Sequence, residues 1–319
     1  MGNEEVELYG QGAAYQEYAL VIKKTGKACL RRYNGSAINN SADFDFVNPL
    51  IVDPLWLHGI NPVTVMFSDA FALAKYMGGV LIPFRIPIGF TYLKVSLWGG
   101  GGTGGGIAGA FGGAGGRLIS EIPVTPGEWL FLMVGGPGKA VLNGYDVRAF
   151  GLGGRSSAVP NVFVRGGGGM TALFRGDVSR PTAVAIAGGG GGAGNNAGAG
   201  GGGGGAADAG GGAGTGDYEQ MRGDDADYPA VKSGGGGGYQ GGGGYAAVSG
   251  VISGKGGTNF IIAGARNTTS DGSARGTRTP PNSGSPYVAN AGRGGIDTSG
   301  TAVLLDGEGG MAVLELLVS

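Results

Sequence analysis

The chain has one cysteine, Cys29, and one histidine, His58, among 319 residues. A single cysteine excludes a disulfide framework within the chain, and the two together are too few for a Cys/His metal site. A Ser-His-Asp or Cys-His catalytic arrangement would have to draw on these same two residues. His58 adjoins Trp56 and Leu57 and reads as a packed histidine; Cys29 lies in mid-strand and reads as a small core residue. A charge surplus is also lacking. Lys and Arg number 22 against 23 Asp and Glu, for a net charge of −1. That balance gives no footprint for nucleic acid and no field for a membrane surface. The opening residues, MGNEEVELYG, lack the basic and apolar regions of a signal peptide, and Val6 breaks the myristoylation pattern. Residues 181–207 carry no charge, but they are mostly glycine with Asn195 and Asn196, too polar to insert into a bilayer. The expectation is a soluble protein made without export.

What the chain has in excess is glycine, 77 residues of it. The longest tract runs from Gly188 to Gly216 without a branched aliphatic or an aromatic side chain. Shorter ones occupy 99–116, 166–169, 234–238 and 241–244. Each glycine in an α-helix costs about 1 kcal/mol relative to alanine, and in a strand it offers nothing to pack. Two conformations remain: a disordered linker, or an extended left-handed helix with three residues per turn and no internal hydrogen bonds. Backbone order costs about 1–2 kcal/mol per residue, and a hydrogen bond returns only about 0.5–1.5 kcal/mol. A lone tract therefore stays loose. Several tracts side by side, anchored by strands at both ends, can bond laterally because no Cβ holds them apart.

The larger side chains supply those anchors. Residues 19–33 read as a hairpin around Thr25-Gly26, after an acidic, then Gly/Ala/Tyr-rich arm over 1–18. Residues 34–45 read as a polar loop, and 47–62, with three prolines among large apolar residues, as packed irregular chain. Residues 68–77 predict a helix, with Ser68 as N-cap and Gly78 as terminator. Residues 81–90 carry two prolines and suit an extended edge. Residues 92–98 alternate Leu93, Val95 and Leu97 as a strand should. Residues 117–134 predict a hairpin closed by a type II turn with Pro126 and Gly127 at its centre. Short strands are expected at 182–187 and 311–318.

In order, the segments YLKVSLWGGGGTGGG, EIPVTPGEWLFLMVGG, GLGGRSSA, AIAGGGGGAG, SGGGGGYQGGGG and GEGGMAVLELLV resemble the glycine-rich domain of phage tail fibres and adhesins. The resemblance spans about residues 89–319. A related version occurs outside the cell in the anaplastic lymphoma kinase receptor family, but that version is disulfide-bonded and membrane-tethered, which favours the phage side here. The resemblance implies a mainly β fold: a β-sandwich bearing a bundle of polyglycine II helices. Residues 1–88, which resemble nothing, would form a small N-terminal α+β region attaching to other virion proteins. The implied role is a virion component that presents loops to a host surface receptor, protein or glycan. A structural decoration or spacer protein of the head or tail is the alternative. A homo-oligomer is compatible with both.

The chemistry-bearing candidates are few. Gly138-Lys139 and Gly254-Lys255 lack the upstream glycine and following Ser/Thr of a phosphate loop. GxGxxG recurs, without the strand–turn–helix context that gives it meaning. Arg-Gly-Asp occurs at 175–177 and 222–224, as chance allows in so glycine-rich a chain. No carboxylate pair points to a depolymerase. The chain is expected to be no enzyme and to need neither metal nor cofactor. The strongest candidate is 217–228, DYEQMRGDDADY, read as a loop at a bundle end. Its spacing is not that of an EF-hand; Tyr and Asp on a rigid support suit recognition. The receptor-binding candidates are Asp217, Tyr218, Asp224, Asp225 and Tyr228, then Tyr239 and Tyr245 beside a GGGG run, and Tyr287 in the polar loop expected at 266–287.

Overall fold

A computed structural model describes residues 5–12, 16–23, 27–34, 37–40, 44–45, 63–68, 81–86, 89–104, 110–139, 148–156, 158–159, 162–163, 165–194, 200–205, 220–226, 233–246, 252–281, 290–296 and 306–317. The described chain is mainly β-strand in antiparallel sheets, and helix within it is confined to Gln220 and Met221.

The first sheet is local. It contains β1 (Glu5–Gly12), β2 (Gln16–Lys23), β3 (Lys27–Asn34), β4 (Ala37–Asn40) and β5 (Phe44–Asp45). The first four lie side by side in that order, and β5 pairs with β3. The hairpin around Thr25-Gly26 is present as β2–β3, with Leu20 opposite Leu30. The acidic arm contributes the edge strand β1, and the stretch expected as a polar loop contributes β4 and β5.

Two further five-stranded sheets follow. Their strands are β6 (Val63–Ser68), β7 (Ile82–Arg85), β8 (Tyr92–Trp98), β9 (Arg117–Pro123), β10 (Trp129–Met133), β13 (Thr171–Phe174), β14 (Ala183–Ala187), β17 (Phe260–Ile261), β18 (Arg266–Asp271) and β19 (Met311–Leu317). One sheet has the order β18-β9-β8-β19-β6, the other β17-β14-β13-β10-β7. Two small ladders complete the set: β11 (Ala158–Val159) with β12 (Val162–Phe163), and β15 (Gly244–Ala246) with β16 (Ile252–Gly254).

Alternation in the sequence becomes a shared core. Leu93, Val95 and Leu97 of β8 join Leu118 and Ile122 of β9 and Leu314 and Leu316 of β19. From the other sheet, Leu130 and Leu132 of β10, Leu173 of β13 and Val184 of β14 enter the same cluster. All are essentially inaccessible to water, and burial of each side chain of this size is worth about 1.5–3 kcal/mol. On the other face of the β8–β19 sheet, Trp98 packs with Met311 and Val313.

Three further expectations need correction. Residues 117–134 are not a hairpin: β9 pairs with β8 and β18, whereas β10 pairs with β7 and β13. The Pro126-Gly127 turn is real, with Gly127 at φ +85° and a Glu128 N–H to Thr125 O bond of 3.0 Å, but it carries the chain from one sheet to the other. A type II turn does not match the twist of a tight hairpin, and the two flanking strands diverge. Ser68 is no helix cap; it ends β6 opposite Met311. The preceding VTVMF is a β-branched and aromatic run that favours a strand. The rest of that expected helix, 69–77, lies outside the described residues. The third is at 266–271, which forms the exposed edge strand β18 rather than loop.

The antiparallel registers put the glycine-rich excursions at one end of the two sheets. Glycine-rich chain leaves after Trp98, Met133, Ala187 and Asp271, and re-enters at Arg117, Thr171, Phe260 and Met311. Short turns close the opposite end.

Candidate functional site

The excursions bond to one another backbone to backbone. Residues 188–193 form their centre. Gly189 and Gly192 donate to Gly237 O and Gly234 O at 2.8 and 2.9 Å. Gly190 and Ala193 donate to Gly100 O and Thr103 O, and Gly191 donates to Gly201 O. In return Gly188 and Gly191 accept from Gly116 and Gly113, Gly189 and Gly192 from Gly257 and Gly254, and Gly190 from Gly168. Partners recur every third residue in each direction. The central segment thus touches six neighbours, at 100–103, 113–116, 168, 201, 234–237 and 254–257, and bonds to itself nowhere in this set.

Only bare backbone fits there. A Cβ on Gly190 would stand 2.0 Å from Gly113 O, and one on Gly167 1.9 Å from Gly235 O. Where the pattern stops, side chains continue it. At the sheet end, Asn259 Oδ1 accepts the Gly188 N–H at 2.9 Å, while Asn259 Nδ2 donates to Arg117 O at 2.8 Å. At the far end, Ala193 O accepts from Arg165 Nη1 at 3.4 Å and from Ser233 Oγ. Arg165 is buried, and desolvation pulls its guanidinium down to about 10. Sequence reasoning missed Asn259, Arg165 and Ser233; the signal was a polar residue within two positions of a glycine run.

The predicted recognition residues separate. Asp217, Tyr218, Tyr228 and Tyr287 lie outside the described residues. Tyr245 is the middle residue of β15, opposite Ser253. The part of 217–228 that is described, 220–226, runs among the glycine tracts instead of forming an end loop. Gly223 donates to Leu152 O, Asp224 to Gly242 O and Ala226 to Arg155 O, while Gly235 and Gly238 donate to Asp224 O and Met221 O. That lateral bonding is possible because Gly223, like the tracts, leaves room for Gly235 O, which would lie 2.1 Å from a Cβ. The second Arg-Gly-Asp is part of this packing. The first lies between β13 and β14, where Arg175 pairs with Glu128 at 3.1 Å and donates to Pro123 O.

Asp225 is engaged within the fold. Its carboxylate accepts both 2.7 and 3.0 Å bonds from Arg148 Nη2 and a 2.9 Å bond from the Arg155 N–H, and Arg222 Nη2 stands 3.9 Å away. Tyr239 is also committed internally. Its ring stacks on Phe260 with centroids 4.0 Å apart, the Arg180 guanidinium lies 4.2 Å from its centroid, and Arg180 also bonds Gln220. Asp225 thus sits among arginines, Asp224 is held through its backbone, and Tyr239 lies between Phe260 and Arg180 at the sheet junction.

Among the described residues no group of three or more His, Cys, Asp or Glu could hold a metal ion, and no helix is long and apolar enough to cross a membrane. No protein-family model and no curated protein matches the chain. Chemically, the arrangement offers a stiff support with arginines and acids tied into it.

Proposed function

We propose that residues 89–319 form a β-sandwich carrying a polyglycine II bundle, and that the chain is a phage tail-fibre or adhesin component presenting loops to a receptor on the host surface. The observation that carries this reading is the three-residue recurrence of lateral bonds around 188–193. A three-residue period is that of the extended left-handed helix, which has no bonds of its own to offer. Excursions that leave one sheet end and return to it support a role for their tips, since a rigid support lowers the ordering cost of whatever the tips bind. Residues 1–88 are then the attachment to other virion proteins, and the place of action is the virion. Recognition involves no catalysis, cofactor or nucleic acid.

The internal use of Asp225 and Tyr239 favours a second reading, a structural decoration or spacer. Adsorption competition separates the two. Purified chain added to host cells is expected to block phage attachment. A variant with Asp217, Tyr218, Tyr228 and Tyr287 all replaced by Ala, melting as the wild type does, should lose that effect. A folded variant that blocks equally well removes these residues from receptor binding, and wild-type chain that never blocks leaves the spacer role.

A further inference from the structure

The sheet end opposite the glycine tracts carries an exposed tryptophan. Trp129 is 47% exposed, with its large apolar side chain open to solvent. It opens β10 directly after the Pro126-Gly127 turn and lies opposite Arg85 in the ladder. The turn is stitched to the end of β7: Gly127 N–H donates to Ile86 O at 2.8 Å, and Ile86 N–H to Glu128 O at 2.9 Å. Arg85 Nε donates to Gly127 O at 3.2 Å, and the guanidinium carbon stands 5.9 Å from the Trp129 ring centroid. Gly127 puts no side chain into this corner, where a Cβ would lie 3.7 Å from Arg85 Nη2. The nearest acid in the turn, Glu128, is taken by Arg175. Exposed Arg85 forms no ion pair among the described residues.

We propose that Arg85 and Trp129 form a binding site for an acidic sugar, with the pyranose ring against the indole and its carboxylate on the guanidinium. An aromatic face receives an apolar ring surface, and a guanidinium fork matches a carboxylate. The anchored Nε leaves both Nη groups for the ligand. A protein partner is disfavoured because a stable interface needs about 800 Å² per side around a buried apolar centre, and the apolar residues that follow Trp129 in β10 turn inward, Leu130 buried and Phe131 half-buried. The site stands apart from the glycine tracts and does not depend on the role proposed for them.

The full chain holds three tryptophans, so its ¹H–¹⁵N spectrum contains three indole N–H signals, and Trp129→Phe assigns one. Glucuronate, glucose and acetate are titrated separately. The Trp129 signal should shift saturably with glucuronate, in about the millimolar range expected of a small exposed site. Glucose should bind about two- to fivefold more weakly, the worth of an exposed ion pair, and Arg85→Gln should abolish that preference with the melting temperature unchanged. Equal binding of glucuronate and glucose, a response to acetate as large as to glucuronate, no saturable shift with any of the three, or a preference that survives Arg85→Gln overturns the proposal.

Discussion

The Thr171 hydroxyl joins the two sheets that share the main core: Oγ1 donates to Trp98 O at 2.6 Å and accepts the Gly135 N–H at 3.0 Å. Trp98 ends β8, Gly135 follows β10, and Thr171 begins β13, so one buried oxygen serves three strand-to-glycine junctions. Thr171→Val keeps the shape and removes the hydroxyl. It should destabilise the protein by about 1–3 kcal/mol for each group left without a partner. Denaturant unfolding at unchanged m-value is the measurement; a loss below about 0.5 kcal/mol would mean that water or a shifted backbone replaces the hydroxyl.

Lateral packing of bare backbone makes a sharper forecast at two glycines. Gly190→Ala would drive a methyl to within 2.0 Å of Gly113 O, and Gly205→Ala finds its nearest neighbour at 3.7 Å. The first change should unfold the tract region or cost more than about 4 kcal/mol, the range of severe core disruption. The second should be neutral or stabilise by about 0.4–1 kcal/mol through the unfolded chain. Amide exchange across 188–193 distinguishes them: protection lost in the first and kept in the second. Equal tolerance at both positions would contradict the close approach.

Asp225 separates a packing role from a binding role. Arg148, about a fifth exposed, and the Arg155 N–H both depend on its carboxylate. Asp225→Ala should therefore lower stability, by about 1.5–3 kcal/mol for hydrogen bonds to a charged group. A residue reserved for a receptor would leave the unfolding midpoint where it was.

Across the outer face of the β8–β19 sheet, charges alternate strand by strand: Arg266, Glu121, Lys94 and Glu315 lie opposite one another in register. Arg266 pairs with Glu121 at 2.7 Å and also lies 3.7 Å from the Tyr92 ring centroid. Hydrogen bonds from Asn267 and then Arg266 hold the Glu121 carboxyl below the usual carboxylate range. With its folded pKa below the unfolded one, Glu121 stabilises the protein above the unfolded pKa, and that contribution disappears as pH falls through the folded value. Melting curves of wild type and Glu121→Gln should differ at neutral pH and converge in acid. A constant difference across that range would assign the effect to shape.

The strands whose apolar residues alternate were legible in advance. Leu93, Val95 and Leu97 announce β8, because a buried face imposes a period of two, and the short apolar run MAVLELL announces β19, which is buried on both faces over its first four residues. The lateral backbone bonding of 188–193 has the complementary cause, that this segment has almost no side chain to serve any other structure. Strand partners were not legible. The alternation of 117–123 and 129–133 around Pro-Gly fits a hairpin as well as a crossing between sheets, and long-range pairing decides between them. Edge strand β18, RNTTSD, buries no apolar face and so carries no period. Asp225 looked available because Arg148, its partner, lies 77 positions earlier in the chain; Asn259 and Thr171 matter only where tracts meet sheets.

The side-chain-free centre bears on how stability varies with temperature. Unfolding an ordinary domain raises the heat capacity by about 12–15 cal/mol/K per residue, because hydrocarbon meets water, whereas exposed peptide groups lower it. Residues 188–192 and the glycines around them release almost nothing but peptide groups. The glycine tracts should thus pull the whole molecule's calorimetric increment below that of a conventional fold of equal length, flattening its stability curve and weakening any tendency to come apart in the cold.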